Sequence, residues 1–246
     1  MIAPQTKSTE ILDELRESIE SGEVLLDEFT LRKLLKTAES IPTPDERLSI
    51  TGLIKILMGR IKEGCSLCER AIRINPTQFA NWTNYNSLLS SFSMFSTLKK
   101  LVYEGINNVH LCPSLFPMIV NYTSVCLDDE ILNLLIDKAE KMNIELDSVS
   151  TQHDQRAFYF ILNDPQKASR IKELAFNTLL FIESKKIKNI ATKFEVDMDG
   201  IWGFNCLLRN ITIDELSQLN DELFDYLYDK NIDMTDCYSI LELMEE

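Results

Sequence analysis

Residues of similar size recur in this chain at intervals of 34 positions. The large side chains Leu48, Trp82 and Phe116 each open a helical stretch, and each lies 34 residues from the next. Three small residues, each late in the helical stretch that follows, are also 34 positions apart, and two prolines are separated by the same interval. Such a repeat restricts the fold strongly, because each unit buries its apolar face only against its neighbours. The small residues are Ala71, Gly105 and Ala139, and the prolines are Pro42 and Pro76.

The 34-residue period resembles that of the tetratricopeptide repeat, in which each unit is a pair of antiparallel helices. The unit that begins at Asp45 has the bulky, small and proline residues of that repeat at Leu48, Gly52, Gly64, Ala71 and Pro76. Units that begin at Phe79 and Pro113 follow it less closely. With a single helix ending at Pro42, the resemblance covers residues 22–144 and implies an α-hairpin array of tetratricopeptide-like or neighbouring helical-repeat type.

The resemblance also implies a binding surface, because tetratricopeptide arrays generally bind partner segments on the concave face formed by the first helix of each unit. Ser49 and Leu53 stand where a clamp for a C-terminal carboxylate would need Lys and Asn. The implied groove is neutral and rich in hydroxyl groups, which suits an extended or helical segment. The partner-binding residues implied in this way are Glu46, Ser49, Leu53, Thr83, Asn84, Ser87, Ser114, Asn121 and Ser124.

After residue 147 the repeat frame is lost, and we place a domain boundary there. Residues 152–162 and 165–184 carry apolar side chains at helical spacing, and Pro165 begins the second stretch. We therefore predict a helical-repeat domain over residues 1–147 and an α+β domain over residues 148–246. We identify no family resemblance in the second domain.

Two runs of alternating apolar and polar residues flank an Asp-Gly pair at 199–200, which predicts a β-hairpin near 190–209. Two strands alone are marginally stable, so the hairpin must pack on helices or pair with another strand. Its edge offers a surface for dimerisation. Thr212 and Glu215 form a capping box that opens an acidic helix, and a last acidic helix is predicted from Thr235 to the end. The predicted fold is mostly α, with a small α+β region.

Negative charge is concentrated at the C-terminal end. The formal net charge is −14, and residues 210–246 contribute −10 through 11 acids and one base. Acidic surfaces repel phosphate backbones, which disfavours nucleic-acid binding through this end. The cluster is either a solvated helix face or a site that meets a basic partner. We define the acidic patch as Asp221, Glu222, Asp225 and Asp229.

Motifs for catalysis or metal binding are sparse. Cys65 and Cys68 have the spacing of half a zinc site or of a redox pair, but they fall within a predicted helix and the sequence has no second such pair. We interpret them as buried small apolar residues. His110 and His153 are the only histidines, and the sequence has no Gly-rich phosphate loop. We therefore predict no enzymatic activity, no metal and no cofactor.

Two hypotheses of function follow, and an enzyme with its site in the unrecognised second domain is a distant third. The first is a non-catalytic scaffold or adaptor whose concave face holds a segment of another protein. The alternative is an acidic, antitoxin-like inhibitor whose C-terminal face masks a basic, nucleic-acid-binding surface of its target. The sequence has neither a run of ~18–20 apolar residues nor a signal-peptide pattern, which predicts a cytoplasmic protein without a membrane partner.

Overall fold

A computed structural model describes residues 6–188 and 190–244 of the chain. These residues are mostly helical and include a small sheet near the C-terminus, as predicted. Their contacts divide the chain into two compact units, residues 1–92 and 93–246. The helices are α1 Lys7–Ser21, α2 Glu28–Ala38, α3 Pro44–Leu57, α4 Ile61–Ile74, α5 Phe79–Ser91, α6 Phe95–Asn108, α7 Phe116–Cys126, α8 Asp129–Met142, α9 Gln152–Asn163, α10 Pro165–Lys185 and α11 Ile213–Asp229, and the strands are β1 Ala191–Val196, β2 Trp202–Leu208 and β3 Cys237–Leu243.

The first unit contains α1 to α5, and three of these helices begin at recognisable start residues. Thr6 and Asp27 accept main-chain hydrogen bonds from Thr9 and Thr30 at the N-termini of α1 and α2. Pro44 occupies the first turn of α3, where its missing N–H is no loss. The helix predicted ahead of the first full repeat is α2, and it packs against α1.

Helices α3 and α4 pack together extensively and cross at two glycines. A Cβ atom on Gly52 would lie 2.5 Å from the Sγ of Cys68 and 2.8 Å from the carbonyl oxygen of Gly64. A Cβ atom on Gly64 would lie 2.5 Å from the carbonyl oxygen of Gly52. The tetratricopeptide pattern that this stretch resembles has small residues at both positions, and the close approach of the helices is the physical reason for them here.

The bulky and small positions of the 34-residue repeat are largely buried. Trp82 and Phe116 are inaccessible to solvent, and so is Ala71. The indole Nε1 of Trp82 also donates a hydrogen bond of 3.0 Å to the carbonyl oxygen of Pro76, which ties the start of α5 to the preceding turn. Within each of the two compact units, every helix packs against the next one along the chain. This arrangement is compatible with a helical-repeat array.

The second unit is organised around α10, which contacts α6, α7, α8, α9, α11 and two strands. Asp164 caps this helix by accepting a hydrogen bond of 3.0 Å from the backbone N–H of Lys167, and Pro165 follows in the first turn. Both α9 and α10 occupy the stretches predicted to be helical. Central buried residues such as Ile171 and Leu174 explain how one helix serves so many neighbours.

The predicted β-hairpin is present and is extended by a third strand. β1 pairs antiparallel with β2, with Phe194 opposite Phe204, and the turn between them contains Gly200 at φ 77°. β3 pairs parallel with the other edge of β2, placing Ser239 beside Phe204. One sheet face is buried, and α10 contacts both β2 and β3. The buried side chains of β2 on that face are Trp202, Phe204, Cys206 and Leu208.

The prediction of a last helix from Thr235 is wrong, because Cys237–Leu243 forms β3. Positive φ angles at Asn231 and Asp236 turn the chain back after α11. The buried residues Cys237 and Leu241 are four positions apart, a spacing that fits both one helical turn and the alternation of a strand. Pairing with β2 decides between them, and local sequence does not reveal that pairing. Over residues 210–244 the acidic end is therefore one helix and one strand, and positions 245–246 of the predicted helix lie outside the described residues.

The predicted domain boundary at residues 147–148 falls inside the second unit. Helices on its two sides are in contact, since α7 and α8 pack against α9 and α10. The short 3₁₀ turn Leu146–Ser148 joins them. The division into a helical-repeat domain over residues 1–147 and an α+β domain over residues 148–246 stays a prediction.

Candidate functional site

A groove lies in the first unit between α1, α3 and α5. It consists of two adjoining cavities of about 280 and 190 Å³ that share Thr9, Leu12 and Asn84. The three helices contact one another. Residues of α1 and α5 line both cavities, and residues of α3 line only the smaller one. The remaining lining residues are Asp13, Arg16, Ile19, Glu20 and Ser87 in the larger cavity, and Thr6, Ser8, Glu46, Ser49, Ile50, Gln78, Ala80 and Asn81 in the smaller one.

A buried carboxylate fixes α5 relative to α3 beside the groove. The Oδ2 atom of Asp45, in the first turn of α3, accepts hydrogen bonds of 3.0 Å from Asn75 and 3.1 Å from Asn81. Buried polar groups need such partners to offset their lost hydration. Asn81 belongs to α5 and lines the smaller cavity, so this network holds one of the lining residues in place.

Most charged residues of the groove come from α1. Asp13, Glu20 and Glu46 are acidic, and Arg16, the one base among the lining residues, is paired with Asp13. Glu46 accepts a hydrogen bond of 2.9 Å from the hydroxyl of Ser8, which links α3 to α1. Three acids and one base give the lining a formal charge of −2. The groove is therefore more acidic than the residues of α3 and α5 alone indicate.

Two of the six binding residues predicted in the first unit do not line this groove. Leu53 is fully buried in α3. The hydroxyl of Thr83 donates a hydrogen bond of 3.2 Å to the carbonyl oxygen of Phe79 within its own helix. The four predicted residues that the structure brings together in the groove are Glu46, Ser49, Asn84 and Ser87.

The other three predicted binding residues belong to the second unit. Ser114 and Asn121 are exposed, whereas Ser124 is buried and donates a hydrogen bond to the carboxylate of Asp154. Burial alone would raise the pKa of Asp154, but hydrogen bonds from Ser124 and Thr151 outweigh it and leave that pKa below its usual value. Ser124 therefore joins α7 to α9 inside the unit.

The 34-residue pattern leaves out the wall that α1 contributes. A helix here is nonetheless signalled by Thr6, which caps it, and by Ile11, Leu15 and Ile19, which are buried and four residues apart. That spacing predicts one inward face. Thr9 and other groove residues lie on the opposite side of the same helix. The sequence pattern predicts that side to be outward-facing, but it does not indicate that the side lines a groove.

The cysteine pair of α4 is part of the packing. Cys68 is buried at the α3–α4 crossing, with its Sγ 3.7 Å from the carbonyl oxygen of Ser49. Burial raises the pKa of the Cys68 thiol and also that of Cys65, so both thiols stay protonated and poorly nucleophilic at neutral pH. Within residues 6–188 and 190–244, no group of three or more His, Cys, Asp or Glu is placed to hold a metal ion.

The acidic patch lies on α11 in the second unit. Asp221, Asp225 and Asp229 are exposed. Glu222 forms an ion pair and hydrogen bond with Lys185, which lower the pKa of its carboxyl group. Three of the four patch residues therefore present their charge to solvent.

Among the residues that the structure describes, no helix has the length and apolar character needed to span a bilayer. No protein family, no curated protein and no solved structure matches this chain.

Proposed function

We propose that this chain is a non-catalytic, tetratricopeptide-like interaction protein that holds a segment of another protein in the groove between α1, α3 and α5. The observation that carries this proposal is the pair of adjoining cavities. Each falls below the ~300–1,000 Å³ typical of small-molecule pockets. Cavities in a row suit successive side chains of a segment, and the hydroxyl and amide groups beside Leu12 suit its main chain.

The charge of the groove narrows the chemistry of that segment. Asp13, Glu20 and Glu46 exceed the single base Arg16. Complementary charge favours correct partners and penalises like-charged ones. The segment therefore carries Lys or Arg, together with small apolar side chains that reach Leu12.

A site-specific crosslinker tests the groove directly. A photoreactive benzoylphenylalanine at Ser87, an exposed lining residue, is expected to crosslink a partner in an extract of the native cells. The same group at Ser66, exposed on α4 and outside the lining, serves as the matched control. Equal crosslinking from both positions would contradict the groove proposal.

An affinity measurement with the captured partner gives a second test. Asn84→Ala removes an amide shared by both cavities and is expected to weaken binding by about fivefold, or about 1 kcal/mol. Asn86→Ala, on the same helix but outside the lining, is the control and should leave affinity unchanged. If Asn84→Ala has no effect, the partner binds elsewhere.

The exposed carboxylates of α11 support a second candidate, the acidic inhibitor whose C-terminal face masks a basic surface of its target. Asp221→Lys with Asp225→Lys reverses the charge of the patch without changing the groove. Partner binding that survives this change contradicts the inhibitor hypothesis. Binding that is lost there, yet retained in Asn84→Ala, contradicts the groove hypothesis instead.

A further inference from the structure

Helix α11 is fixed to the second unit by one face only. Leu223 and Leu227 on that face are buried. One turn away, the amide of Asn220 makes two hydrogen bonds to the main chain of Leu241 in β3, donating at 3.0 Å and accepting at 2.8 Å. The inner face of α11 thus needs no further partner.

The outer face carries an exposed apolar stripe. Phe224 and Tyr228 are one turn apart and are 58% and 70% exposed. Ile213, three turns before Phe224 on the same side, is 73% exposed. Single exposed apolar residues are ordinary, but large ones aligned on one helix mark an interaction surface.

The acidic residues flank this stripe on one side. At 3.6 residues per turn, Asp221 and Asp225 lie beside the stripe, on the side away from the buried leucines. Asp229 lies in the same row one turn further along the helix. The other side of the stripe leads to the buried leucines. The outer face of α11 therefore has an apolar stripe bordered on one side by a row of carboxylates. A helix that served only to increase solubility would not need the apolar stripe.

Charge decides which occupant fits this surface. Phosphate groups of nucleic acids and anionic lipids are repelled by the row of carboxylates. A second copy of the chain brings the same charge, since the net charge is −14. A basic amphipathic helix matches both features, because its apolar residues can cover Phe224 and Tyr228 while its Lys or Arg side chains meet the aspartates.

We propose that the outer face of α11, formed by Ile213, Phe224, Tyr228 and the row Asp221, Asp225 and Asp229, is a docking site for a basic amphipathic helix of a partner protein. This inference rests on the second candidate function and specifies its partner. It differs from simple charge masking in that the aromatic side chains supply much of the affinity, as buried aromatic anchors do in interfaces.

The test uses the whole protein and a defined probe. The probe is a fluorescein-labelled helical peptide of ~18 residues, about five turns, with leucines on one face and lysines on the other. A peptide of the same composition in scrambled order is the probe control. Fluorescence anisotropy gives the dissociation constants at ~0.05 and ~0.5 M NaCl, since the higher salt screens exposed charges.

Two variants separate the two features of the face. Phe224→Ser with Tyr228→Ser is expected to weaken binding of the amphipathic peptide by at least about tenfold. Asp221→Asn with Asp225→Asn should weaken it at low salt and much less at high salt. Glu14→Gln with Glu17→Gln, exposed acids of α1, removes the same charge elsewhere and should change little. Circular dichroism checks that every variant keeps its helix content.

Three results would overturn the proposal. If the scrambled peptide binds as tightly and the aromatic variant has no effect, the face attracts cations by charge alone, and the inhibitor hypothesis survives without the docking site. If the amphipathic peptide fails to bind the wild-type protein, the docking site is absent. If sedimentation shows wild-type self-association that the aromatic variant abolishes, the occupant is a second copy of the chain.

Discussion

At positions 52 and 64 the side chain has to be a single hydrogen atom. The α3–α4 backbones approach so closely there that any Cβ atom overlaps the opposite main chain or the Cys68 sulfur. Glycine normally weakens a helix interior by about 0.5–1 kcal/mol relative to alanine. The close packing of α3 and α4 that the glycines permit offsets this cost, because it buries Ile56 of α3 and Cys68 of α4.

We expect Gly52→Ala to lower the free energy of unfolding. Overpacking costs about 1–3 kcal/mol, which exceeds the gain in helix propensity of about 1 kcal/mol at most sites. Urea denaturation measures the change. Ser66→Ala, at an exposed position of α4, supplies the control and should be neutral or slightly stabilising. A Gly52→Ala protein as stable as the wild type would mean that the helices separate at no cost.

Residues differ in how well the sequence predicts their roles. Gly52 and Gly64 are predictable because the tetratricopeptide pattern that residues 45–76 resemble has small residues at both positions. Ser124 is different, since its position in the repeat implies a concave face while the structure pairs it with Asp154. That carboxylate lies 30 positions further along, outside the stretch in which the 34-residue pattern is recognised. Local patterns identify faces of helices, and tertiary contacts decide what covers them.

Among the elements, α8 depends on a buried cap. The carboxylate of Asp128 accepts a hydrogen bond of 3.1 Å from the N–H of Ile131, and the Lys99 ammonium lies 3.8 Å away. Burial nevertheless raises the pKa of Asp128 above its ordinary value, because desolvation outweighs both interactions. The folded state thus holds this proton more tightly than the unfolded state does. The ionised form destabilises the fold at neutral pH, and this penalty is lost as the pH falls through the folded-state pKa.

We therefore expect opposite effects from two substitutions of this cap. Asp128→Asn keeps an acceptor oxygen and never ionises, so it should be at least as stable as the wild type at pH 7. Its advantage should shrink as the pH is lowered toward the range in which the wild-type carboxyl group is protonated. Asp128→Ala loses the cap and should cost about 1 kcal/mol. Chemical denaturation at several pH values checks both, and an Asn variant that loses stability at pH 7 would contradict the argument.

The third strand is an element that its own sequence does not specify. Residues 237–243 suit a helical turn nearly as well as a strand, and the free edge of β2 decides the outcome. Asn220 then occupies the outer edge of β3 by bonding both main-chain groups of Leu241. A side chain that pairs with an exposed edge in this way blocks the addition of a further strand.

Removal of that side chain should change both stability and association. Asn220→Ala leaves the N–H and C=O of Leu241 without these partners. We expect the free energy of unfolding to fall by about 1–2 kcal/mol. We also expect concentration-dependent self-association in sedimentation velocity, because the edge of β3 becomes available. Gln218→Ala, two residues away and exposed, is the control. A variant that stays at the wild-type association state would show that the edge is protected by other means.

Over the whole molecule, charge is distributed very unequally between the two compact units. Residues 1–92 contain 11 basic and 13 acidic side chains, a formal charge of −2. Residues 93–246 contain 14 basic and 26 acidic side chains, a formal charge of −12. Excess charge of one sign destabilises a compact state through self-repulsion. Repulsion between like charges therefore destabilises the second unit more than the first.

We expect salt to stabilise the second unit selectively. Raising NaCl from ~0.02 to ~0.5 M shortens the Debye length to a few ångströms and screens this repulsion. Hydrogen exchange with mass spectrometry should then show added protection in residues 93–246 and little change in residues 1–92. Asp221→Asn with Asp225→Asn and Asp229→Asn should reduce the response, since it removes three of the excess charges. Equal gains in both units would instead indicate a general effect of salt on apolar burial, because such an effect does not depend on where the charge lies.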